Sequence, residues 1–368
     1  MKNLKTEQNR VSLAKNWLVN SGIQSKDGGF YAWLDLDSQA PAFLYSEITG
    51  YAITTLLFLN RLSADPVLIQ RAQAAADWLL QKALHPCGGF KARLYQDDIN
   101  ADPLYSFSSE NIFSFDTGMA LYGLVNLYKQ NKQEKLLAIC EKCADFLIDK
   151  MQNPDGSFNS IYNAKTKVNI NPQDKWSSQP GSFHAKIALS LADLFEITDK
   201  IKYKQAAIKI CEFALSKQDA SGRFITDNTT QTTHLHPHAY SIEGLVYAGA
   251  VFKIERFILQ AEKAAQWMFK HVDKNGVNDI YDPKSAKFSH FQRSDILAQA
   301  LRLGLIFSQD KTGLLKTRLE NYQLSEGFLY NLQERHLNSW CSMFALQALA
   351  LEENPSLIAE NKKVELFI

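Results

Sequence analysis

The chain has 368 residues, of which 46% are hydrophobic and 21% are charged, so it is long enough and apolar enough to bury a substantial core. Forty lysines and arginines stand against 39 aspartates and glutamates, for a formal net charge of +1. This balance argues against nucleic acid or an anionic membrane surface as a partner.

Nothing in the sequence indicates a secreted or membrane-bound protein. The first ten residues are polar and lack the apolar core of a signal peptide. No run approaches the ~20 apolar residues of a membrane span. The chain has five cysteines, an odd number. Most of them, such as Cys140 and Cys143, lie among apolar neighbours on predicted helices. We therefore predict a cytoplasmic protein with free thiols and neither a disulfide framework nor a zinc site.

A glycine-centred turn, usually followed by an aromatic residue, recurs six times along the chain. Each turn follows a helix-like segment and precedes a long loop and a second, apolar helix. A repeat of this kind predicts the fold before any local pattern does. The turns are Asp27-Gly28-Gly29-Phe30, Cys87-Gly88-Gly89-Phe90, Asp155-Gly156-Ser157-Phe158, Ser221-Gly222-Arg223-Phe224, Asn275-Gly276-Val277 and Glu326-Gly327-Phe328.

The first helix of each unit is amphipathic. In five units an aromatic residue lies on the apolar stripe, and charged residues occupy the opposite face, which predicts an outer helix packed on one side. The sixth unit departs from this pattern, because its first helix, near Gly313–Tyr322, is short and has no such aromatic residue. The five aromatic residues are Trp17, Trp78, Phe146, Phe213 and Trp267.

The second helix of each unit is apolar on nearly all sides and rich in alanine and glycine, which predicts an inner helix. Six outer and six inner helices predict an all-α (α/α)6 toroid, a single domain over residues 1–368. All the long loops then gather at one end of the ring. The predicted inner helices are Glu47–Asn60, Asp116–Tyr128, Ser182–Phe195, Ala239–Phe252, Asp295–Phe307 and Ser339–Leu351.

These turns and alternating helices resemble the α/α toroid superfamily. It includes six-hairpin glycosidases, sugar epimerases, terpene cyclases and protein prenyltransferases. The resemblance implies the fold, and it implies function only through matching residues. Cys341 lacks the closely preceding aspartate of a prenyltransferase zinc site. Asp35-Leu36-Asp37-Ser38 ends in serine where a class II terpene cyclase has a further aspartate.

Ionisable residues cluster where the inner helices begin, at the loop-rich end of the ring. Glu47, Asp116 and Asp295 each stand at or next to a predicted helix start, where the helix dipole favours anions. Capping is an equally good explanation for the two aspartates, whereas Ser46 is expected to cap the helix of Glu47. We predict Glu47 and Asp116 as a catalytic pair, with Asp295 in reserve.

The segment before the fourth inner helix carries three alternating histidines, His234, His236 and His238. We expect an extended conformation that aims all three side chains to one side, with at least one facing the cavity. Alternating histidines can be metal ligands, but the chain offers no obvious further ligand, and we expect no metal and no cofactor. An unperturbed pKa of ~6.5 suits His236 for proton transfer. A structural role remains equally open for each histidine.

Aromatic residues are frequent in the loops and at the inner-helix starts. So many rings predict a concave, carbohydrate-sized pocket, although packing of loop on loop would explain about half of them. Arg293 and Lys186 are candidates for holding an acidic sugar. The predicted substrate-binding residues are Trp33, Tyr45, Trp176, His184, His238, Tyr240, Arg293 and Trp340.

The function predicted first is an intracellular glycoside hydrolase-like enzyme that acts on a sugar or oligosaccharide, with Glu47 and Asp116 flanking the bond. A sugar epimerase or lyase would instead use His236 or Tyr240 to remove a carbon-bound proton. The His-x-x-Glu pairing of the resembling epimerases is absent, because His238 and Glu243 are five residues apart. Two more functions stay open, namely a non-catalytic toroid that binds a glycan or protein in polysaccharide assembly, and a terpenoid or prenyl-transfer enzyme. The oligomeric state is left open as well.

Overall fold

The computed structural model describes residues 9–97 and 101–368. Over these ranges the chain forms twelve α-helices arranged as an (α/α)6 toroid, as predicted. In chain order the helices are α1 (Arg10–Asn20), α2 (Ser46–Ser63), α3 (Pro66–Trp78), α4 (Ser114–Asn131), α5 (Glu134–Phe146), α6 (Ala188–Thr198), α7 (Ile201–Ser216), α8 (Leu235–Phe252), α9 (Glu255–Lys270), α10 (Ser294–Ile306), α11 (Thr312–Glu320) and α12 (Ser339–Glu353).

The even-numbered helices form the inner ring. Each contacts the next even-numbered helix, and α12 returns to α2. Glycines allow α2 and α4 to approach closely. A Cβ on Gly50 would lie 2.6 Å from the Met119 carbonyl oxygen, and one on Gly123 would lie 2.6 Å from the Gly50 carbonyl oxygen. The small residues of the predicted inner helices therefore serve close helix packing.

The odd-numbered helices form the outer ring. Each packs against the inner helix that precedes it, and α1 packs on α12, so the first and last units meet. The aromatic stripe faces inward, as the burial of Trp17, Trp78 and Trp267 shows. The sixth outer helix, α11, has only nine residues, in agreement with the short first helix predicted for that unit.

Five of the six turn glycines adopt the left-handed conformation, with φ between 92° and 108°. At Gly222 a Cβ would lie 2.5 Å from the Lys263 carbonyl oxygen on the next outer helix. The turn glycines therefore also let each turn pack on its neighbour. The sixth turn differs from the prediction, because its left-handed residue is Ser325, with φ of 57°, while Gly327 lies in a short strand.

Short antiparallel strands join the loops at the open end of the ring. They are β1 (Trp33–Asp35), β2 (Leu44–Tyr45), β3 (Arg93–Leu94), β4 (Asn111–Phe113), β5 (Ile161–Asn163), β6 (Val168–Ile170), β7 (Thr233–His234), β8 (Ile280–Asp282), β9 (Lys287–Phe288), β10 (Gln323–Leu324), β11 (Gly327–Phe328) and β12 (His336–Asn338). Strand β1 pairs with β12 and so links the first and sixth units. Strand β2 pairs with β3, and β4–β5–β6 and β7–β8–β9 form three-stranded sheets.

Two inner helices begin differently from the prediction. Helix α8 starts at Leu235, four residues before the predicted Ala239. The proline in its first turn, Pro237, is tolerated there because the amide of that position has no partner within the helix. The third inner helix opens with a 3₁₀ segment, Ser182–Ile187, before α6 begins. Both changes alter which way the first side chains point.

The end of the ring opposite the loops is closed by the last residues of the sequence. Phe367 and Ile368 are buried. The Phe367 amide donates a hydrogen bond to the Tyr122 hydroxyl at 3.1 Å, and Arg302 Nη1 donates one to the Ile368 carbonyl oxygen at 2.5 Å. Among the described residues, the axial pocket lies at the loop-rich end of the inner ring.

The cysteines are free, and Cys140 and Cys143 are buried on α5, as predicted. Cys87, in a turn, is only half-buried. Within the two described ranges, none of the helices combines the length and apolarity needed to cross a bilayer. The polar N-terminal stretch lies mostly outside the described residues.

Candidate active site

The first turns of all six inner helices meet around one pocket of about 320 Å³. Nine of the twelve site residues predicted from the sequence line it, and Asp295, His238 and Trp33 do not. The nine are Tyr45, Glu47, Asp116, Trp176, His184, His236, Tyr240, Arg293 and Trp340.

Glu47 and Asp116 place two interacting carboxyl groups in this pocket. Asp116 is 3% exposed, and its Oδ2 atom has no hydrogen-bond partner among the described residues. Burial raises the pKa of Asp116 well above its usual range, and the charge of Glu47 raises it further. Burial also raises the pKa of Glu47, while the nearby Arg93 opposes the rise in both acids. The pair therefore holds a proton to a higher pH than ordinary carboxyl groups do.

Capping does not account for either acid. No side chain caps α4, whose N-cap residue is Phe113, so Asp116 is not engaged by the helix start. The expectation that Ser46 caps α2 is wrong. Ser46 is the first residue of that helix, and its hydroxyl donates to the Lys91 carbonyl oxygen at 2.5 Å.

Asp295 lies behind the pocket wall and is fully buried. Arg293 donates to its two oxygens from Nε at 3.1 Å and from Nη2 at 2.5 Å, and Trp340 Nε1 donates at 3.2 Å. Burial alone would raise the pKa of Asp295, but the charge of Arg293 and the hydrogen bonds from Arg293 and Trp340 outweigh burial and hold it below its usual value. Asp295 thus orients three pocket residues and is not placed to contact substrate itself.

His236 presents one ring nitrogen to a polar partner and leaves the other free. Nδ1 lies 2.8 Å from Gln299 Oε1 and 3.3 Å from Asp295 Oδ2, so it carries the hydrogen of the neutral ring. Burial lowers the pKa of His236 to about 3. Nε2 has no hydrogen-bond partner among the described residues and therefore offers a lone pair on the pocket side.

The three alternating histidines do not point to one side, so that prediction is wrong. His234 lies in β7, whereas His236 and His238 are already in α8, where residues two apart face opposite directions. His238 faces α9, with Nε2 3.2 Å from the Ala264 carbonyl oxygen. It also accepts at Nδ1 from the Phe224 amide at 3.3 Å. His238 therefore holds a turn and an outer helix in place and does not bind substrate in the pocket.

His184 and Tyr240 lie at the floor of the pocket with their polar atoms already engaged. His184 Nε2 is 3.0 Å from Ser114 Oγ, and its Nδ1 is 3.1 Å from the Gly181 carbonyl oxygen. Burial lowers the pKa of His184 to about 3. The Tyr240 hydroxyl accepts a hydrogen bond from Tyr51 at 3.0 Å. These residues shape the floor and keep it uncharged.

Lys186 lies beneath the pocket and does not reach it, in contrast to the expectation that it holds an acidic sugar. It is fully buried, and Nζ lies 2.8 Å from Glu243 Oε2. The other oxygen of Glu243 binds Arg302 at 2.7 Å. Burial lowers the pKa of Lys186 to about 8. This network joins the 3₁₀ segment before α6 to α8 and α10.

Trp33 lines a second, outer groove of about 590 Å³. Its ring packs against Phe43 and His336, with centroids 5.2 and 5.0 Å apart. Tyr95 lies on the same groove, and Arg93 lines both the groove and the inner pocket. The groove therefore adjoins the pocket instead of being part of it.

Arg93 is a site residue that sequence reasoning missed. It stands three residues after the turn aromatic Phe90, as Trp33 stands three residues after Phe30. Aligning the units on the aromatic residue of each turn would have marked this position as one that faces the mouth. The type of residue gave no further signal, because a single arginine in a loop is usually solvated.

Comparison with known proteins supports the architecture. No family model matches the sequence, and no curated protein matches it significantly. Among solved structures, a sugar epimerase from a ruminal bacterium superposes with a TM-score of 0.75 at 10% identity, over 94% of this chain and 99% of that one. The chain has the (α/α)6 toroid fold of such sugar-processing enzymes.

Two further solved structures share this fold. The cellobiose 2-epimerase of Bacillus thermoamylovorans has a TM-score of 0.74 at 11% identity, over 92% of this chain and 98% of that one. An unsaturated glucuronyl hydrolase from a Bacillus species has a TM-score of 0.67 at 13% identity, over 95% and 97%. Likeness at this level of identity establishes architecture, so function depends on the site itself.

Proposed function

We propose that this protein is a carbohydrate-active enzyme that performs acid–base chemistry on a sugar bound in the pocket at the ring axis. The observation that carries the proposal is the buried carboxyl group of Asp116, whose Oδ2 atom has no hydrogen-bond partner among the described residues and which interacts with Glu47. A buried acid without a partner costs stability, and such costs concentrate at functional sites. The fold shared with sugar epimerases and a glucuronyl hydrolase supports the same proposal.

In the proposed hydrolase, Asp116 is the general acid and Glu47 the base or nucleophile. The pKa of Asp116 is raised well above its usual range, so it retains a proton that it can donate to a leaving oxygen. A hydrogen bond from Tyr45 and the charges of Arg93 and Lys186 favour the ionised form of Glu47 against burial. Two carboxyl groups with separated pKa values are the arrangement that glycoside hydrolysis uses.

Polar and aromatic surfaces of the pocket favour a sugar over an isoprenoid. Tyr45, Trp176 and Trp340 offer ring faces and edges, while Arg93 and Arg293 place cations on the wall. The hydrocarbon part of an isoprenoid would instead need a deep, dry and apolar cavity. A volume of about 320 Å³ is at the lower end of small-molecule sites, which fits one sugar unit. In this proposal Trp33 contacts a second unit in the adjoining groove.

Epimerisation or elimination on the same scaffold is a second candidate, favoured by the free Nε2 of His236. A neutral imidazole held by Gln299 through Nδ1 can accept a carbon-bound proton at Nε2. Arg293 would then stabilise the resulting anion, although Asp295 already neutralises most of its charge. The two candidates differ in which residue is indispensable.

The test is incubation with a panel of neutral and acidic oligosaccharides in D₂O, followed by NMR. Hydrolysis yields new reducing ends, whereas epimerisation exchanges a carbon-bound hydrogen for deuterium. We expect Asp116→Asn and Glu47→Gln each to lower turnover by ~10²- to 10⁴-fold, the usual contribution of a general acid or base. His236→Gln has the larger effect only if the second candidate is correct.

His238→Gln is the matched control, since it removes a buried imidazole that faces away from the pocket. It should lower the melting temperature and leave turnover per folded molecule unchanged. Full activity in both carboxylate variants would refute the hydrolase. Binding of isoprenoid diphosphates and of no sugar would refute the carbohydrate proposal as a whole.

A further inference from the structure

Arg93 occupies the junction between the inner pocket and the outer groove. We infer that its guanidinium group binds a carboxylate on the substrate, so that the enzyme selects a sugar chain containing a uronic acid. This inference rests on the proposed function and adds the class of sugar. It depends on how Arg93 is held and on what it does not contact.

Three aromatic rings hold the guanidinium in place. Arg93 Cζ lies 3.9 Å from the ring centroid of Tyr105, 4.6 Å from that of Phe43 and 4.9 Å from that of Tyr45. The rings come from two loop segments, one carrying Phe43 and Tyr45 and the other carrying Tyr105, and they stabilise the cation through their faces. A cation held in this way keeps its charge and its position.

The guanidinium lies where a ligand can meet it, because Arg93 lines both the inner pocket and the outer groove. Its Nε atom is buried and has no hydrogen-bond partner among the residues described. Burial alone would lower the pKa of the guanidinium, but the neighbouring Tyr45 and Tyr95 hydroxyls raise it. Within those ranges no carboxylate comes within ion-pair distance of its guanidinium. Glu47 and Asp116 are close enough to be influenced by its charge but do not bind it. All three residues line the same pocket.

Arg293 on the pocket wall and Lys186 beneath it are already neutralised. Arg293 forms two hydrogen bonds with Asp295, and Lys186 pairs with Glu243 beneath the floor. Of the lysines and arginines that the structure describes along the pocket wall, Arg93 alone lacks an anionic partner. An anionic substituent on the substrate would supply that partner.

A carboxylate fits this position better than a phosphate does. The planar fork of a guanidinium matches the two oxygens of a carboxylate. A doubly charged phosphate would be repelled more strongly by Glu47, which shares the pocket. A sulfate ester carries one charge, and the experiment therefore includes it as a separate arm.

The experiment measures binding in the Asp116→Asn background, so that substrate is not consumed. Calorimetry compares methyl glycosides of glucuronate, galacturonate and mannuronate with the matching neutral glycosides and with methyl glucoside 6-sulfate. We expect at least one uronide to bind more tightly than its neutral partner. Arg93→Gln should lower the affinity for that uronide by about 10- to 100-fold, as expected for the loss of a hydrogen bond to a charged group. The neutral partner should change little.

Arg93→Lys keeps the positive charge but not the two parallel N–H donors of the guanidinium. It should therefore retain only part of the preference for uronides over neutral sugars. Arg256→Gln, an exposed arginine on the outer helix α9, is the matched control and should leave all affinities unchanged. If Arg93 only changes the pKa values of Glu47 and Asp116, the single variant Arg93→Gln shifts the pH profile of turnover. In the binding experiment it then leaves the ratio of uronide affinity to neutral-sugar affinity unchanged. That result would overturn the inference.

Failure of the inference and failure of the proposed function give different results. Equal binding of uronides and neutral sugars, with activity still lost in Glu47→Gln, overturns only the role of Arg93. Tighter binding of the 6-sulfate than of every uronide overturns the choice of carboxylate. Absence of binding by any sugar overturns both proposals.

Discussion

Removal of the charge of Asp295 is the sharpest test of how the site is built. Asp295→Asn keeps the shape of the side chain and one carbonyl oxygen but loses the negative charge. In the wild type that charge is fully buried and neutralises Arg293, whose side chain is 14% exposed, through two hydrogen bonds. The substitution therefore leaves a largely buried guanidinium without a counter-charge.

Loss of one partner from a buried ion pair costs about 3–5 kcal/mol. We expect the lower end, about 3 kcal/mol, because Arg293 borders an open pocket and water can reach part of it. With ~2.1 cal/mol/K of unfolding entropy per residue, a chain of 368 residues would lose about 4 °C in melting temperature. Asp310→Asn, at an exposed position, should shift stability by less than ~0.5 kcal/mol.

The assay is a double-mutant cycle of Arg293→Gln and Asp295→Asn, followed by denaturant and thermal unfolding at pH 7. Each single variant leaves one uncompensated charge, whereas the double variant leaves none. The double variant should therefore be more stable than the sum of the two losses predicts, by ~2 kcal/mol. Losses that add to within ~0.5 kcal/mol would refute the reasoning.

Acid should remove the stabilisation from Asp295. Its pKa in the folded state lies below the ordinary value of 3.8, so the ionised, paired form contributes stability above that pH. This contribution is lost as pH falls through the lowered folded-state pKa. The difference between wild type and Asp295→Asn should accordingly be constant near neutrality and shrink below about pH 4. A difference that grows on acidification would contradict the pairing.

The remaining predictions concern single positions. The pKa of Asp116 is raised in the folded state, so the wild type loses stability as pH rises above 3.8, the ordinary pKa of an aspartate in the unfolded chain. The melting temperature of Asp116→Asn should therefore rise relative to that of the wild type between pH 5 and 8. A difference in melting temperature that stays constant over this range would contradict the raised pKa. Gly222→Ala should lower the free energy of unfolding by ~2 kcal/mol, because the φ of Gly222 is 102° and a Cβ would meet the Lys263 carbonyl oxygen. Gly313 has open space around it, so Gly313→Ala should be neutral in the same unfolding assay. His236, with a pKa of about 3, should show no NMR titration between pH 5 and 8, and a midpoint near 6.5 would disprove its burial.

Arg93 illustrates what a sequence cannot reveal about a site. Its three-ring cage combines residues from loops that follow different helices, among them Phe43 and Tyr105, more than sixty positions apart. Pairing of β2 with β3 places Tyr45 opposite Arg93. Such a contact depends on strand register between neighbouring units, and a local pattern does not encode it.

The histidines show the same limit at shorter range. An extended approach to the fourth inner helix would have aimed His236 and His238 to one side. The helix begins at Leu235 instead, and the two imidazoles then face opposite layers of the ring. Because helix boundaries depend on packing and capping as well as on residue preference, the direction of side chains near a boundary is a tertiary property.

By itself, the sequence determined the architecture. Three sequence features predict two concentric rings of helices: turn glycines at regular intervals, one aromatic stripe on each outer helix, and inner helices that are apolar on all sides. This arrangement places Glu47 and Asp116 at the same, loop-rich end of the ring. Tertiary structure decided which mouth residues are free to act. It neutralised Arg293 and buried Lys186, and it left Arg93 Nε and Asp116 Oδ2 without hydrogen-bond partners among the described residues. The physical reason is that the periodic pattern of buried residues can be recognised within each segment of the sequence. The pairing of charges, in contrast, depends on atoms from distant segments that only folding brings together.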